Sequence, residues 1–186
     1  MNIILIGYMG SGKSSLGCGL AKRLKWKFVD TDKAIEQQQG QSILDIFETK
    51  GEEHFRELER AYIQSIDSES NQIIAVGGGM PCFFDNMEQL NLKGTTIYLH
   101  RPPGELVYRL QHSKNPRPLV VGKSTEELNL FVHEALTYRE QFYKRAHYQV
   151  SRKIGSATRL HDFLVQEQII LPNDPLHRPQ SEQELG

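Results

Sequence analysis

The feature that most constrains the fold is a glycine-rich segment near the start of the chain. Residues 7–14, GYMGSGKS, match the pattern G-x-x-x-x-G-K-[ST] and follow the apolar run IILI at residues 3–6. A buried strand that leads into such a loop and then a helix is the setting in which this pattern binds nucleotide phosphates. Its glycines let backbone N–H groups converge on phosphate oxygens at the positive end of the helix. An ordinary glycine-rich turn is the alternative, and the flanking strand and helix disfavour it.

Two side chains of this loop have expected roles of their own. Lys13 is placed to reach the β- and γ-phosphates, and Ser14 to offer its hydroxyl to Mg²⁺. A nucleotide with magnesium is therefore the ligand that the segment predicts.

Length and charge narrow the class of protein. The chain has 186 residues, which suits a single domain, and a net charge of −1, which gives no basic surplus for nucleic acid. Residues 172–186 are polar and rich in proline, without an apolar pattern. We expect a folded domain over residues 1–171 and a disordered tail after it.

Cysteine usage and hydropathy favour a cytoplasmic protein. Cys18 and Cys82 form no C-x-x-C pair and lie in no Cys/His cluster with metal-ligand spacing, so we expect reduced thiols. No apolar run approaches the ~18 residues of a membrane span, and the first strand leaves no room for a basic leader. We expect a monomer that binds neither membrane nor nucleic acid.

Beyond the loop, short apolar strands alternate with helical stretches. Leu16, Leu20 and Leu24 recur every four residues, as on a helix that packs against a sheet. The predicted strands are residues 3–6, 28–29, 73–76, 95–99 and 148–150. This alternation predicts an α/β fold with a mainly parallel sheet between layers of helices.

Two long connections interrupt the alternation, and long connections are where substrates are usually held. The first spans residues 31–70, in which Ser42 is the predicted N-cap of a helix and Gly51 its stop. The second spans residues 111–125 and combines prolines with basic residues but has no helical period. We expect the first to bind a substrate and the second to be a mobile lid.

A pair of aspartates follows the second predicted strand, in the tripeptide DTD at residues 30–32. One carboxylate can hold Mg²⁺ through water, and the other can accept a proton from, or orient, a hydroxyl that attacks the γ-phosphate. The alternative is that Asp30 or Asp32 only caps the helix that starts near Lys33.

Three glycines and three arginines complete the candidate site. The triplet GGG at residues 77–79 follows the third strand, at the sheet edge where ligands of open α/β folds bind, although a flexible turn is the alternative. Arg56 and Arg139 lie on predicted helices, and a guanidinium fork suits a carboxylate, whereas a lone helical arginine is normally solvated. Arg117, between two prolines of the lid, could close over the phosphates.

Together these residues resemble shikimate kinase, over about residues 1–155 and with spacings like those of the family. Any one segment could match by accident, but the ordered set is very specific. The matching segments are GYMGSGKS (7–14), DTD (30–32), SILDIFE (42–48), GEEHFR (51–56) with Glu59, GGG (77–79), NPRPL (115–119) and YREQFY (138–143).

The resemblance implies a function and a fold. It implies ATP-dependent phosphorylation of the 3-hydroxyl of shikimate, a step of chorismate and aromatic amino acid biosynthesis. The implied fold is that of a P-loop kinase of the nucleoside monophosphate kinase type, with a five-stranded parallel sheet. Shikimate and ATP are then the substrates and Mg²⁺ the cofactor.

The resemblance also implies roles for individual residues. Asp32 would contact the ring hydroxyls, Arg56 and Arg139 would clamp the carboxylate, and Asp30 would join Ser14 at the magnesium through water. The implied catalytic residues are Lys13, Asp32 and Arg117. The implied shikimate-binding residues are Asp32, Arg56, Gly78, Gly79 and Arg139. The implied ATP-binding residues are Gly10, Ser11, Gly12, Lys13, Ser14, Ser15, Arg109 beside adenine, and Arg117.

Three features depart from the family's usual pattern. Val76 stands where Ser or Thr often precedes the glycines, and His147 stands where Asp often follows Ala146. The adenine loop near residues 151–154 matches poorly. These departures bear on the adenine-site assignments and leave the catalytic set intact.

Rival functions make different demands on the sequence. Another small-molecule kinase, such as a gluconate kinase, would keep the loop but does not need the aspartates, arginines and glycines together. A GTPase is disfavoured because the guanine-recognition pattern N-K-x-D is absent. A module that binds ATP without turnover would need neither a lid arginine nor an acceptor-side carboxylate.

Overall fold

The computed structural model describes residues 1–113 and 120–171. In these residues the strands are β1 (Asn2–Ile6), β2 (Lys27–Asp30), β3 (Gln72–Ala75), β4 (Thr95–Leu99) and β5 (Tyr148–Val150). The helices are α1 (Lys13–Leu24), α2 (Thr31–Gln39), α3 (Ile43–Ser65), α4 (Asn86–Lys93), α5 (Pro103–Gln111), α6 (Thr125–Tyr143) and α7 (Ala157–Gln166). A short 3₁₀ helix, Met80–Cys82, lies between β3 and α4.

The five strands form one parallel sheet in the order β2-β3-β1-β4-β5. Ile3 of the central strand pairs with Ile73 of β3 on one side and with Thr95 of β4 on the other. Because parallel strands need crossover connections, the helices between them cover both faces of the sheet. The predicted α/β architecture is confirmed, and the carboxyl ends of β1, β2 and β3 meet at one edge.

Both faces of the sheet are buried. Ile4 and Ile6 pack in one hydrophobic cluster with α3, α4, α5 and α6, whereas Ile3 and Leu5 pack in a second cluster with α1 and α7. Successive side chains of a strand point to opposite faces, so a central strand covered on both sides needs a continuous apolar run. The predicted leucine stripe of α1 lies in the second cluster.

The first long connection folds into α2 and α3. Ser42 is the N-cap of α3, as predicted, because its Oγ accepts a hydrogen bond from the N–H of Asp45 at 3.1 Å and the Asp45 side chain bonds back to the Ser42 N–H. Gly51 has φ 84 and ψ 171 and interrupts the helix, which continues to Ser65. The two predicted helices are therefore halves of α3, joined at Gly51 without a loop.

Some predicted element bounds differ by one or two residues. β3 ends at Ala75 rather than residue 76, but the N–H of Val76 still donates to the carbonyl of Leu5 at 3.2 Å. α2 starts at Thr31, two residues before the predicted start near Lys33. Helix and strand ends depend on hydrogen bonds that sequence patterns locate only approximately.

The predicted tail and the middle of the predicted lid lie outside the described residues. α5 ends at Gln111 and α6 begins at Thr125, which agrees with a long connection in that place. Residues 114–119 and 172–186 are outside the part that the structure describes, so the lid, the tail and the domain bounds stay predictions. Among the described helices, none combines the length and the apolar character that crossing a bilayer requires.

Candidate active site

The loop between β1 and α1 has the backbone geometry that its glycines predict. Gly12, the N-cap of α1, has φ 99, which lies in the left-handed region that residues with a Cβ rarely adopt. The Nζ of Lys13 donates to the carbonyl oxygens of Gly7 at 2.6 Å and Tyr8 at 3.1 Å. The ammonium group is therefore held against the loop, beside the N-terminus of α1, where an anion is favoured.

Ser14 and Asp30 form a pair of oxygen ligands next to this loop. The Oγ of Ser14 donates a hydrogen bond of 2.8 Å to Oδ2 of Asp30. Asp30 is the N-cap residue of α2, but its side chain makes no capping hydrogen bond, so the capping alternative fails for this side chain. Mg²⁺ is usually held by one or two protein oxygens together with phosphate and water, and this hydroxyl and carboxylate fit that requirement.

Asp32 lies against the first of the three glycines. A Cβ on Gly77 would be 2.5 Å from Oδ1 of Asp32 and 3.1 Å from Oε1 of Glu59. The N–H of Gly77 donates to Oγ1 of the buried Thr31 at 3.0 Å, which ties the end of β3 to the start of α2. Any residue other than glycine at position 77 would therefore force the Asp32 carboxylate to move.

Arg56 is enclosed by its neighbours. Its Nη1 lies 2.8 Å from the position that a Cβ on Gly79 would take, and its Cζ lies 4.0 Å from the centroid of the Phe83 ring. Nη1 donates to Oε2 of Glu59 at 2.7 Å, and both Nε and Nη2 donate to Oε1 of Glu52, at 3.1 and 2.7 Å. The guanidinium group is therefore fixed in position.

Arg139 approaches the same backbone segment from α6. Its Nη1 lies 3.5 Å from the position that a Cβ on Gly78 would take, and its Cζ lies 5.3 Å from the centroid of the Tyr8 ring. The hydroxyl of Tyr143 donates to the carbonyl of Gly78. The same Cβ position on Gly78 is 3.5 Å from backbone atoms of the phosphate loop. Two arginines and the loop thus meet at one pair of glycines.

Burial and charge shift several pKa values in this site. Burial raises the pKa of Glu59 to about 7, although the Arg56 guanidinium opposes that shift. Burial also raises the pKa of the Tyr8 and Tyr143 hydroxyls, again with Arg139 acting in the opposite direction. Both tyrosines are therefore neutral, and Glu59 is the carboxyl group of this site whose pKa is raised to near neutral pH.

Arg109 lies at the other side of the phosphate loop, as part of a charged network. Its Nη1 is 3.6 Å from the position that a Cβ on Gly12 would take, and its Nη2 is 2.8 Å from Oε1 of Glu105. The buried Arg101 lies 3.6 Å from the same carboxylate oxygen and donates to the carbonyl of Ile154 at 3.2 Å. The network joins α5 to the loop after β5, where the predicted adenine site lies.

Comparison with known proteins identifies the family of this chain. A family model described as shikimate kinase matches residues 9–168, which is most of the chain. The chain belongs to the shikimate kinase family. A shikimate kinase from Parabacteroides distasonis is 44% identical over 144 residues, which are 77% of this chain and 83% of that protein.

Solved structures of shikimate kinases superpose closely on this chain. The crystal structure of the enzyme from Bacteroides thetaiotaomicron has a TM-score of 0.84 and 36% identity, and covers 91% of this chain and 99% of that one. The structure of the enzyme from Acinetobacter baumannii, in complex with shikimate, has a TM-score of 0.79 and 33% identity. The match covers 90% of this chain and 92% of that one. The predicted P-loop kinase fold of the nucleoside monophosphate kinase type is confirmed.

The structure brings most of the predicted site residues of this shikimate kinase family member together. Lys13, Ser14 and Asp30 lie at the phosphate loop, and the acceptor-side residues meet at the glycines. Ser11 is buried in the loop, while Ser15 is exposed. Arg117 lies outside the described residues.

Four residues of the site have contacts that we did not predict: Glu59, Phe83, Tyr8 and Tyr143. The sequence contained a signal for Glu59, because it lies four residues from both Phe55 and Ile63 on one helical stripe. The structure buries all three residues. A carboxylate on an apolar stripe is rarely buried unless it is paired. Contacts of the three aromatic residues depend on tertiary packing and have no such local signal.

The departures from the family pattern have structural roles. The Val76 side chain is buried in the core of the sheet. His147 accepts a hydrogen bond at Nδ1 from the N–H of Thr96 at 3.2 Å, and its own N–H donates to Oγ1 of Thr96 at 2.9 Å. It links the start of β4 to the approach to β5, away from the acceptor-side residues.

Proposed function

We propose that the chain transfers the γ-phosphoryl group of ATP to the 3-hydroxyl of shikimate, giving shikimate 3-phosphate and ADP for aromatic amino acid biosynthesis. The observation that carries this proposal is that Arg56, Arg139 and Asp32 meet at three glycines beside the phosphate loop. Two guanidinium groups suit one carboxylate, and a neighbouring carboxylate suits an attacking hydroxyl. The Acinetobacter baumannii relative, which binds shikimate, supports this acceptor.

At the acceptor end, Arg56 and Arg139 hold the carboxylate of shikimate and Asp32 orients its ring hydroxyls. Asp32 accepts the proton of the 3-hydroxyl as that oxygen bonds to the γ-phosphorus and the bond from phosphorus to the bridging oxygen of ADP breaks. The N–H groups of Gly78 and Gly79 offer further donors to the substrate. Holding the hydroxyl close to the phosphate is itself a large part of catalysis.

At the nucleotide end, the loop over residues 10–15 and the N-terminus of α1 bind the phosphates, and Lys13 neutralises their charge. Arg109 lies beside this loop, in the place that we assign to adenine. Arg117 is assigned to the lid, where it would neutralise charge as the phosphoryl group moves.

Ser14 and Asp30 are the residues to which we assign Mg²⁺. The Ser14 hydroxyl would bind the ion directly and Asp30 through water, which their hydrogen bond of 2.8 Å allows. When bound, the ion withdraws charge from the phosphate oxygens. A chelator should therefore stop turnover and leave the far-ultraviolet circular dichroism spectrum unchanged, whereas full turnover with excess chelator would refute this assignment.

A coupled assay of ATP consumption tests the proposed function. We expect ADP formation that depends on shikimate, with gluconate as a control acceptor that gives none. Turnover with gluconate but not shikimate would transfer the chain to another kinase function. ATP binding without consumption under either condition would favour a non-catalytic module.

We also propose that the enzyme acts as a monomer in the cytoplasm, where ATP is available. The described residues assigned to shikimate and to the phosphates lie close together within one chain, which favours a monomer. Light scattering of the purified protein should give a mass near 21.3 kDa. A stable dimer at assay concentrations would contradict this part of the proposal.

A further inference from the structure

Arg56, the proposed carboxylate ligand, already carries two carboxylates of its own chain. A guanidinium group offers two edges on which a carboxylate can bind with both oxygens, one formed by Nε and Nη2 and one by Nη1 and Nη2. Glu52 accepts from both nitrogens of the first edge, and Glu59 accepts from Nη1 of the second. Each edge is therefore at least half occupied.

The faces of the guanidinium group offer no other approach. The backbone of Gly79 lies so close that an added Cβ would be 3.2 Å from Cζ, and the centroid of the Phe83 ring is 4.0 Å from Cζ. Only 11% of the Arg56 side chain is exposed. A second carboxylate must therefore come in along an edge, and one resident carboxylate must give way or stay beside it as a like charge.

Glu52 and Glu59 differ in how readily their carboxylates can move away from Arg56. The Glu59 side chain is 1% exposed, so moving it would leave a buried carboxyl group without its partner. The Glu52 side chain is 57% exposed and directly follows the helix interruption at Gly51. Among the described residues, Arg56 is its one partner. Glu52 can therefore leave for water at little cost.

We propose that Glu52 is a built-in competitor for the substrate: its carboxylate occupies the Nε and Nη2 edge of Arg56, and the carboxylate of shikimate binds by displacing it. The inference rests on the proposed function, because it requires a substrate carboxylate at Arg56. It makes Glu52 a residue that sets both affinity and specificity. A ligand without a carboxylate has nothing to exchange for Glu52.

The competing role and a simple orienting role have opposite signs. If Glu52 competes, removing its charge frees the edge and removes a like charge near the bound substrate, so affinity rises. If Glu52 only holds Arg56 in place, removing its charge loosens the guanidinium group, so affinity falls. The interactions of Arg56 with Glu59 and Phe83 favour the competing role, because they hold the guanidinium group in place without Glu52.

Calorimetric titration of shikimate into the Glu52→Gln variant tests the inference. We expect its Kd to fall roughly two- to fivefold, which is the size of an exposed ion pair. Glu53→Gln is the matched control, because it removes the same charge from the adjacent exposed residue. The Kd of the carboxamide analogue of shikimate should be the same in the wild type and Glu52→Gln.

Two outcomes would overturn the inference: an unchanged or higher Kd for shikimate in Glu52→Gln, or an equal fall in Glu53→Gln. In an Arg56→Ala background, Glu52→Gln should have no effect on Kd, because the two residues act through one contact. Failure of the proposed function would give a different result. In that case the wild type itself would bind shikimate and the carboxamide equally, whatever Glu52 does.

Discussion

The two ends of the active site are built in different ways. The phosphate-binding part of the nucleotide end is one continuous segment, residues 7–15, in which the backbone, a helix N-terminus and Lys13 lie together at the proposed phosphate position. The acceptor end is assembled from separated parts of the chain: Asp32 on α2, Arg56 and Glu59 on α3, the glycines after β3, and Arg139 on α6.

These two constructions predict how easily the substrate preference of each end can be changed. Backbone donors do not depend on side-chain identity, so the nucleotide end suits any phosphate chain and is hard to redirect. The acceptor end consists of charged side chains, so single substitutions there should alter substrate choice. Arg56 and Glu59 are also paired with little exposure, so removing the charge of one of them should cost stability as well. The two ends meet where Gly78 contacts the phosphate loop.

The largest effect is expected at the nucleotide end. Lys13→Ala should lower kcat by on the order of 1000-fold or more, because the ammonium group neutralises charge on the transferred phosphate. Circular dichroism should show an unchanged fold. Lys22→Ala, an exposed lysine on the same helix, is the control and should keep full activity. Near-normal turnover by Lys13→Ala would refute the phosphate site.

The next largest effect is expected where the two ends meet. Asp32→Asn should lower kcat by roughly 100-fold or more and change the KM for shikimate little, because an amide still orients the ring but cannot accept its proton. Steady-state kinetics with saturating ATP measures both constants. An unchanged kcat with a large rise in KM would assign Asp32 to binding alone.

A smaller effect is expected for the carboxylate clamp. Arg56→Lys and Arg139→Lys should each cost roughly 1.5–3 kcal/mol, which raises the KM for shikimate more than about tenfold, because lysine lacks the planar fork. The double variant should depart from the sum of the single effects, since both residues bind one group.

ATP affinity separates the two ends in these arginine variants. Measured without shikimate, the Kd for ATP should barely change in either single variant. Arg159→Lys on α7 is an exposed control and should change neither constant. Strict additivity together with weakened ATP binding would show that the ends are not distinct.

The last effect is expected on stability rather than on turnover. Because the pKa of Glu59 is raised to about 7 in the folded state from a usual value of 4.5, the folded state retains a proton that the unfolded state loses as pH rises between these values. Relative to Glu59→Gln, the wild type should lose stability over that range, by at most about tenfold in the unfolding constant per pH unit, and level off above it. Denaturant unfolding from pH 4.5 to 8 measures this difference. A parallel pH dependence for both proteins would contradict the burial effect.

The sequence predicted the nucleotide end in more detail than the acceptor end, for a physical reason. The requirements of the phosphate loop are local, and a run of seven or eight neighbouring residues meets them. Its pattern is therefore visible in the sequence. The strands of a two-sided sheet are also visible as apolar runs. Their bounds shifted by a residue or two because hydrogen bonding beyond the run decides where a strand ends.

At the acceptor end, residue chemistry suggested the aspartates, the glycines, Arg56 and Arg139 as candidates, but only the family resemblance implied the contact that each makes with the substrate. Its residues are up to about 107 positions apart, from Asp32 to Arg139, and nothing local says that they meet. The partners of Arg56 depend on packing as well: Phe83 contacts it after the 3₁₀ helix of Met80–Cys82, and Glu59 pairs with it one turn along α3. Such contacts follow from how the helices lie on the sheet.

The separation of the two ends is tested most directly by the turnover of the wild-type enzyme with shikimate and with its carboxamide analogue at saturating ATP. The analogue keeps the ring hydroxyls and loses the charge that Arg56 and Arg139 are proposed to bind. We expect kcat/KM to fall on the order of 100-fold or more for the analogue, with the KM for ATP unchanged. Equal kcat/KM for the two acceptors would contradict the carboxylate clamp and the assignment of shikimate.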